Sequence, residues 1–244
     1  MSKKVIFREN DVLHIISTSK TTNKKIATAK ETIVQTYHFS RGQFEEAKKQ
    51  TSMREFFSHD GSVCMDCPFA VSNGAKLSAC YTHKMMQYSG FLSMLRSIKC
   101  EWDEIPELPS VTTLRGGAMR YEIQQMCENR YVRFGTYGEP SLLPISLVKL
   151  MVKVAKSWTG YTHQWKKVDP QFAKFFMAST HTEDEERVAS LIGYRSFVAS
   201  PKPISQFISC PASAEMGFIS NCSKCGLCSG TEGKGKKSVI ILEH

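Results

Sequence analysis

The chain carries four cysteines near its end, Cys210, Cys222, Cys225 and Cys228, spaced so that two tight Cys-x-x-Cys turns bring the thiols within reach of one point. Four cysteinates satisfy either a tetrahedral zinc ion or an iron–sulfur cluster, and Gly226 lets the backbone fold close around the sulfurs. A second set precedes it: Cys64-x-x-Cys67, then twelve residues, then Cys80-x-x-His83. With His83 as fourth ligand the spacing suits a zinc knuckle. The three thiols alone suit a cluster with one iron left open, His83 then merely starting the next helix.

Nine cysteines are also enough for a disulfide framework, but such frameworks belong to small secreted chains, and this one has 244 residues. Its longest early apolar run, Val12 to Ile16, is broken by His14 and too short for a leader or a membrane span. A cytoplasmic location is therefore expected, where clustered thiols point to metal. Cys100 and Cys127 stand apart and read as small buried hydrophobes.

The elements that must position these groups follow from periodicity. Val5 to Phe7, Leu13 to Ser17 and Ile33 to Phe39 are β-branched and aromatic and read as strands, followed by a helix from Gln43 to Phe57. Pro68, Asn73 and Gly74 mark Cys64 to Cys80 as an irregular loop. Met85, Tyr88, Phe91, Leu92, Leu95 and Ile98 recur at helical spacing. Glu101 to Pro109 reads as a surface connection and Arg120 to Cys127 as helical. Beyond it come a strand at Tyr131 to Tyr137 and a helix opened by Pro144 with Leu147, Val148, Met151, Val154 and Ala155 inward. A strand at Gly160 to Gln164, a short helix from Asp169 to Phe175 and a strand at Phe176 to Ser179 follow. Thr182 and Glu185 predict a capping box for a helix running to Ile192 and stopped by Gly193, before a strand at Ser196 to Ala199.

Strands alternating with helices predict an α/β fold built from right-handed β-α-β units on a parallel sheet, either doubly wound or a partial or full β/α barrel. The expected organisation is one compact domain: N-terminal strands and helix over 1–60, a β/α core with the first cysteine loop over 61–209, and a cysteine-cluster knuckle with a final strand over 210–244. Such folds keep their ligand site at the strand C-termini. There the sequence places Tyr137-Gly138-Glu139-Pro140, Thr162-His163-Gln164-Trp165, Ser179-Thr180-His181, Ser200 and Cys210. Glu139, His163, Gln164 and His181 are the catalytic candidates: His163 as a base, ligand or cofactor contact, Glu139 as the holder of an amine or hydroxyl. No Ser-His-Asp arrangement or Walker-type phosphate loop is present, and Gly230, Gly233 and Gly235 lack dinucleotide-fingerprint spacing.

Thirty-two Lys and Arg against 23 Asp and Glu leave a formal charge of +9, clustered at Lys3/Lys4, Lys24/Lys25, Lys48/Lys49, Lys166/Lys167 and Lys234/Lys236/Lys237. Nucleic acid is a natural partner for such an excess. The alternative to an enzyme is thus a zinc-stabilised, basic nucleic-acid-binding protein without catalysis.

Two resemblances accompany these readings. A strand, a cysteine loop, a helix, a strand ending Gly138-Glu139-Pro140, a helix, a strand ending Thr162-His163-Gln164 and a terminal cysteine cluster resemble radical S-adenosylmethionine enzymes with an auxiliary cluster. The resemblance implies that Cys64, Cys67 and Cys80 hold a cluster and that Tyr137, Gly138, Glu139 and Thr162 contact S-adenosylmethionine. It further implies an auxiliary site at Cys210, Cys222, Cys225 and Cys228. In that family the three cysteines lie in one compact loop, whereas here the third follows after twelve residues. From Cys64 onward the chain also looks like uncharacterised phage-encoded proteins that share Cys67-Pro68-Phe69, Cys80-Tyr81, Arg133 to Pro140, Gly160 to Trp165 and the terminal Cys-Pro-Ala-Ser. That similarity implies a phage origin, with host cytoplasm as the location, and no assigned activity.

Overall fold

A computed structural model describes residues 3–242 apart from 111, 203, 205 and 218. It is a mixed α/β structure with two parallel-rich, five-stranded sheets. The first runs β1 (Lys4–Glu9), β2 (Val12–Lys20), β3 (Thr32–Ser40), β4 (Tyr131–Tyr137) and β5 (Ser157–Thr159), in that spatial order. β1, β2 and β3 pair antiparallel, while β3, β4 and β5 pair parallel. The parallel expectation therefore holds from β3 onward, and β1 to β3 form a meander because the short and polar links between them permit antiparallel return. The second sheet, all parallel, has the order β6 (Tyr161–Thr162), β7 (Met177–Thr180), β8 (Ser196–Ser200), β10 (Val239–Leu242), β9 (Ile208–Ser209).

Only Gly160 separates β5 from β6, so one stretch of chain passes from sheet to sheet. A Cβ there would stand 2.7 Å from Phe176 and 3.1 Å from Phe134, an approach only glycine allows. Period-two alternation sorts the first sheet into two apolar faces. Leu13, Ile15, Tyr37, Phe39 and Tyr137 pack under α1 (Arg41–Ala47), α2 (Met53–Ser58) and α4 (Met85–Arg96). Phe7, Ile16, Val34, Val132 and Phe134 pack under α5 (Leu114–Cys127) and α6 (Ile145–Val154). Helices thus cover both faces of this sheet.

The single helix expected from Gln43 to Phe57 is two. Ser40 with Gln43 and Ser52 with Glu55 each form a reciprocal cap, and the second cap restarts the chain as a separate helix. α7 (Glu183–Leu191) begins at Thr182 as expected, yet the Glu185 carboxylate accepts from the His181 amide rather than from the cap, so the box is not reciprocal. The remaining helix-like turns near the cysteines are α3 (Gly61–Cys64) and α8 (Cys222–Cys225).

His14 and His38 face each other across β2 and β3 with their Nδ1 atoms 2.9 Å apart, 1% and 0% exposed. One ring donates and the other accepts, which requires neutral imidazoles. Burial holds His14 down at about 4 and, joined by the neighbouring His14, holds His38 well below its ordinary value. A histidine depressed in the fold contributes stability that is complete above its unfolded value of about 6.5 and is lost as pH falls toward 4. His14→Gln removes the titration and keeps a hydrogen-bonding side chain. Thermal unfolding from pH 7.5 to 4 should show the wild type losing on the order of 3 kcal/mol more than this variant. Parallel pH profiles would rule out the His14 contribution.

Candidate functional site

The first cysteine loop is built on a buried carboxylate. Asp60, 0% exposed, precedes α3 and accepts from the amides of Val71 at 2.9 Å and Ser72 at 3.0 Å. Asn73 closes the loop from the other side, donating to the carbonyls of Met65 at 2.6 Å and Cys67 at 3.1 Å. The segment is irregular in outline, as expected, but stapled at both ends.

Three cysteines then share one local geometry. At Cys67, Cys80 and Cys210 the carbonyl accepts from the amide three residues on, Ala70 at 3.1 Å, His83 at 3.0 Å and Ser213 at 3.0 Å. In each turn the amide two residues on, of Phe69, Thr82 and Ala212, donates to the sulfur itself. Pro68 and Pro211 occupy the second turn position, where a fixed φ presets the bend and no N–H is needed. An N–H aimed at sulfur favours thiolate. Cys80 receives further donors: the Thr82 hydroxyl lies 3.1 Å from its sulfur, and the His83 amide also reaches it. The His83 ring packs against Phe57 with centroids 4.0 Å apart.

Thiols within each set sense one another. Cys64 is held well above its ordinary value by burial, then by Asp60, Cys67 and Cys80; burial, with Cys80 and Glu139 adding to it, pushes Cys67 up to about 12. Burial likewise raises Cys210, Cys222 to about 11, and Cys228 well above, and the members of this set act on each other. Each of these raised thiols, Cys64, Cys67, Cys210, Cys222 and Cys228, favours its neutral form. Among the described residues no three His, Cys, Asp or Glu side chains already form a cage around a single metal ion. The donor set nonetheless fits thiolate ligation in kind: neighbouring soft sulfurs, sulfur-directed amides and partial solvent access at Cys64, Cys80, Cys222, Cys225 and Cys228.

The second set is moored to distant chain. The Cys210 amide donates to Ile240 O at 2.8 Å, and those of Cys222 and Ser223 to Lys25 and Ile26 O at 2.9 Å in the β2–β3 loop. Gly160 N donates to Cys228 O at 2.9 Å. Gly226, with φ of +64°, ends α8 in the left-handed region as its type allows.

The two sets meet at Arg133 on β4. Its guanidinium donates to Tyr81 Oη at 3.3 Å, beside Cys80, and lies in the electrostatic field of Cys222, Tyr131 and Tyr161. Tyr161 in turn senses Tyr81, Cys222 and Cys228. Cysteines more than 120 residues apart in sequence thus border one surface. Arg133 and Tyr81 entered the sequence expectations only as motif members of a resemblance, without a role, and Asp60 not at all. Strand alternation carried the signal for the first, since Arg133 lies opposite Val132 and Phe134, whose side chains fill the helix-covered face.

Of the strand-end residues, Glu139 is the hub. It is 4% exposed; its carboxylate accepts from Ser141 Oγ at 3.0 Å, from His163 N at 3.1 Å and from the Thr162 hydroxyl, and burial raises its pKa against these donors. Its own amide donates to Val63 O at 2.8 Å, tying the end of β4 to the first cysteine loop. Gly138 precedes it at φ +75°, where a Cβ would lie 2.7 Å from that of His38. Tyr137 is enclosed by Phe39, Phe57 and Phe91 and bonded by Gln43, so its ring serves the core.

His163 and His181 stack with centroids 5.8 Å apart, and Phe69 from the cysteine loop sets its edge against both. Burial, with the neighbouring His181, lowers His163 to about 4, which makes it a neutral imidazole at pH 7. Gln164 is 1% exposed, and neither its amide nitrogen nor its amide oxygen has a hydrogen-bond partner. Trp165 turns inward, donating to Ser179 O at 3.2 Å and packing with Ala173, Ala178, Ala189 and Tyr194. The Ser200 hydroxyl hydrogen-bonds locally with Lys202.

Comparison with family models, curated proteins and solved structures gives no match for this chain. The site's description therefore rests on its own geometry.

Replacing Asp60 by Ala leaves the Val71 and Ser72 amides without this acceptor. The expected loss is on the order of 2 kcal/mol, read as a lower urea midpoint at unchanged slope. Asp60→Asn, which keeps one acceptor oxygen, should recover part of it. Equal midpoints for Asp60→Ala and wild type would show that the loop does not depend on this staple.

Proposed function

We propose that this protein is a metalloprotein that holds iron–sulfur at its two cysteine sets and works as a radical-type modifying enzyme. Cys64, Cys67 and Cys80 are the ligands of the first site and Cys210, Cys222, Cys225 and Cys228 those of the second. The observation that carries the reading is the convergence of both sets on the Arg133 surface, with Gly138-Glu139 bonded directly to the first loop. Sulfur-directed amides at Cys67 and Cys80 support thiolate ligation in the first set, with three thiols leaving one position open. The segments behind the resemblance to phage-encoded proteins, Cys67-Pro68-Phe69 and Cys210-Pro211-Ala212, are the ones that form the sulfur-directed turns. That agreement supports a common metal-binding role in host cytoplasm.

When bound, a cluster at the first site would supply one-electron chemistry, with S-adenosylmethionine as the partner the resemblance implies. The chain's own residues have separate tasks. Glu139 aligns the ends of β4 and β6 through its hydrogen bonds; the neutral His163 is available to accept a proton; Gln164 offers an unpaired amide donor and acceptor. Phe69 and the stacked histidines wall that corner with aromatic faces.

The zinc reading has one observation in its favour: the second set is a complete four-thiol group, which suits a structural ion. Its nucleic-acid component gains less. Two of the five basic clusters are spoken for, Lys48 pairing with Glu101, Lys49 with Glu46, Lys166 with Glu185 and Lys167 with Asp66. Among the described residues no helix is long and apolar enough to cross a membrane.

Metal and acid-labile sulfide analysis of protein purified without oxygen decides between them. Iron with sulfide is expected, with Cys64→Ser and Cys225→Ser each removing the share of one site only. S-adenosylmethionine cleavage under reducing conditions then tests the enzyme, and His163→Ala should lower it at least tenfold with little change in Tm. Zinc without iron or sulfide would overturn the reading in favour of the zinc-stabilised form.

A further inference from the structure

We infer that the ends of β6 and β7 form a recognition site for a neutral planar ligand that presents an amide edge, from a ring lactam or a primary carboxamide, to the Gln164 side chain. The inference rests on the second sheet and stands whether or not the cysteines carry iron. Gln164, Thr180 and Tyr194 are 1%, 0% and 3% exposed. Among the described residues, none offers a hydrogen bond to the Gln164 amide nitrogen or oxygen, to the Thr180 hydroxyl or to the Tyr194 hydroxyl. Polar atoms this deeply buried are ordinarily met by protein or water, so three unmet side chains in one corner mark a place for a partner from outside the chain. Strand register brings the three together. Thr162 pairs with Ala178 and Thr180 with Val198, so alternation puts Thr162, Ala178 and Thr180 on one face, the face that Trp165 and Tyr194 cover. Past Thr162 the chain crosses the end of β7: the His163 ring stacks on His181 and the Trp165 indole donates to Ser179 O, which sets Gln164 between them at the level of Thr180. The Tyr194 hydroxyl lies within electrostatic reach of Glu139, whose carboxylate the Thr162 hydroxyl holds.

The donor and acceptor of a carboxamide lie side by side, and a ligand edge with an N–H next to an oxygen meets both at once. A ring lactam and a primary carboxamide have that edge; a trans peptide bond, with its N–H and C=O on opposite sides, does not. The ligand oxygen keeps a second lone pair for the Thr180 or Tyr194 hydroxyl, which the ring nitrogen of an amidine lacks. Gln164, Thr180 and Tyr194 are uncharged, and this matches a neutral group. Trp165, Phe69 and the stacked histidines supply aromatic faces for the ring that carries the edge. Phe69, His163 and His181 are only partly buried, so access runs past side chains at the strand ends and needs no strand to open.

Calorimetric titration of the full chain, as purified without oxygen, with uridine and separately with benzamide tests the site. At least one probe should saturate in wild type. 3-Methyluridine and N-methylbenzamide, in which a methyl group replaces the N–H beside the oxygen, should bind about tenfold or more weakly, a comparison that needs no variant to fold. Gln164→Met, close in shape and without the amide, should weaken the saturating probe by about tenfold, and Thr180→Val by about threefold. Without ligand, Gln164→Met should melt at or above the wild-type Tm, because it removes an unpaired polar group; a glutamine bonded to buried water would make the variant melt lower. Metal content is read on the same samples, so loss of iron and loss of binding are told apart. Saturation by uridine assigns a ring lactam, and saturation by benzamide alone assigns a primary carboxamide. No saturable binding of either probe, equal binding of its methylated form, or a lower Tm for Gln164→Met with unchanged affinity overturns the proposal.

Discussion

The architecture of the site depends on one buried carboxylate. Glu139 joins three pieces of chain that are remote in sequence: its amide holds the Val63 carbonyl just before Cys64, and its carboxylate holds the amide of His163 after β6 and the hydroxyls of Thr162 and Ser141. Burying such a group is tolerated only where each oxygen is met by donors, as here. The chain reaches that point through a left-handed turn at Gly138, pressed so closely on His38 that no side chain fits. Loss of the carboxylate would leave the His163 amide and the Thr162 and Ser141 hydroxyls without this acceptor, while the backbone bond to Val63 remains. Glu139 thus acts on the site chiefly by position, with its lone pairs spent on the protein itself.

What was legible in the sequence follows from what is local. β4 runs over Tyr131–Tyr137 as expected, because strict alternation and a glycine-bearing exit bound it on both sides. α6 buries Leu147, Val148 and Met151 on the face that helical spacing marks. Of the Cys-x-x-Cys pairs, Cys64 and Cys67 close a turn through the Cys67 amide and the Cys64 carbonyl at 2.9 Å, and Cys222 and Cys225 lie on α8. The sulfur-directed turns instead begin at Cys67, Cys80 and Cys210, which start no such pair. The failures are also physical. Phe44, Phe56 and Phe57 read as one continuous apolar stripe and hid the restart at Ser52, since a shared core can receive two short helices as well as one. The strand expected at Gly160 to Gln164 is displaced toward Ser157, because Gly160 is the crossing point between sheets and His163 and Gln164 have already left the ladder. Trp165, counted among the strand-end candidates, is a core residue with its indole N–H satisfied by backbone. Nothing in the spacing of either cysteine set showed that both border Arg133, since that contact is made by the order of strands and not by any local pattern.

The two sets differ in the charge that surrounds them, and this bears on what each can hold. Asp60 and Glu139 stand near Cys64 and Cys67 and act against thiolate there, in the same direction as burial. Around the second set cations predominate: Lys25 and Arg133 favour the thiolate of Cys222, Lys25 that of Cys210 and Arg195 that of Cys228, while Glu215 acts against the thiolate of Cys210. Four thiolates on a divalent ion, or on a cluster of the same net charge, leave two negative charges, and a ring of cations is the environment that stabilises them. Three thiolates beside two carboxylates make the opposite demand, for an occupant that brings more positive charge than the sulfurs cancel. Identical ligand chemistry at both sites is therefore not matched by identical electrostatics. The second set is suited to a closed and electronically quiet group; the first, with fewer sulfurs and a field that resists further negative charge, is suited to one that stays open to an additional ligand.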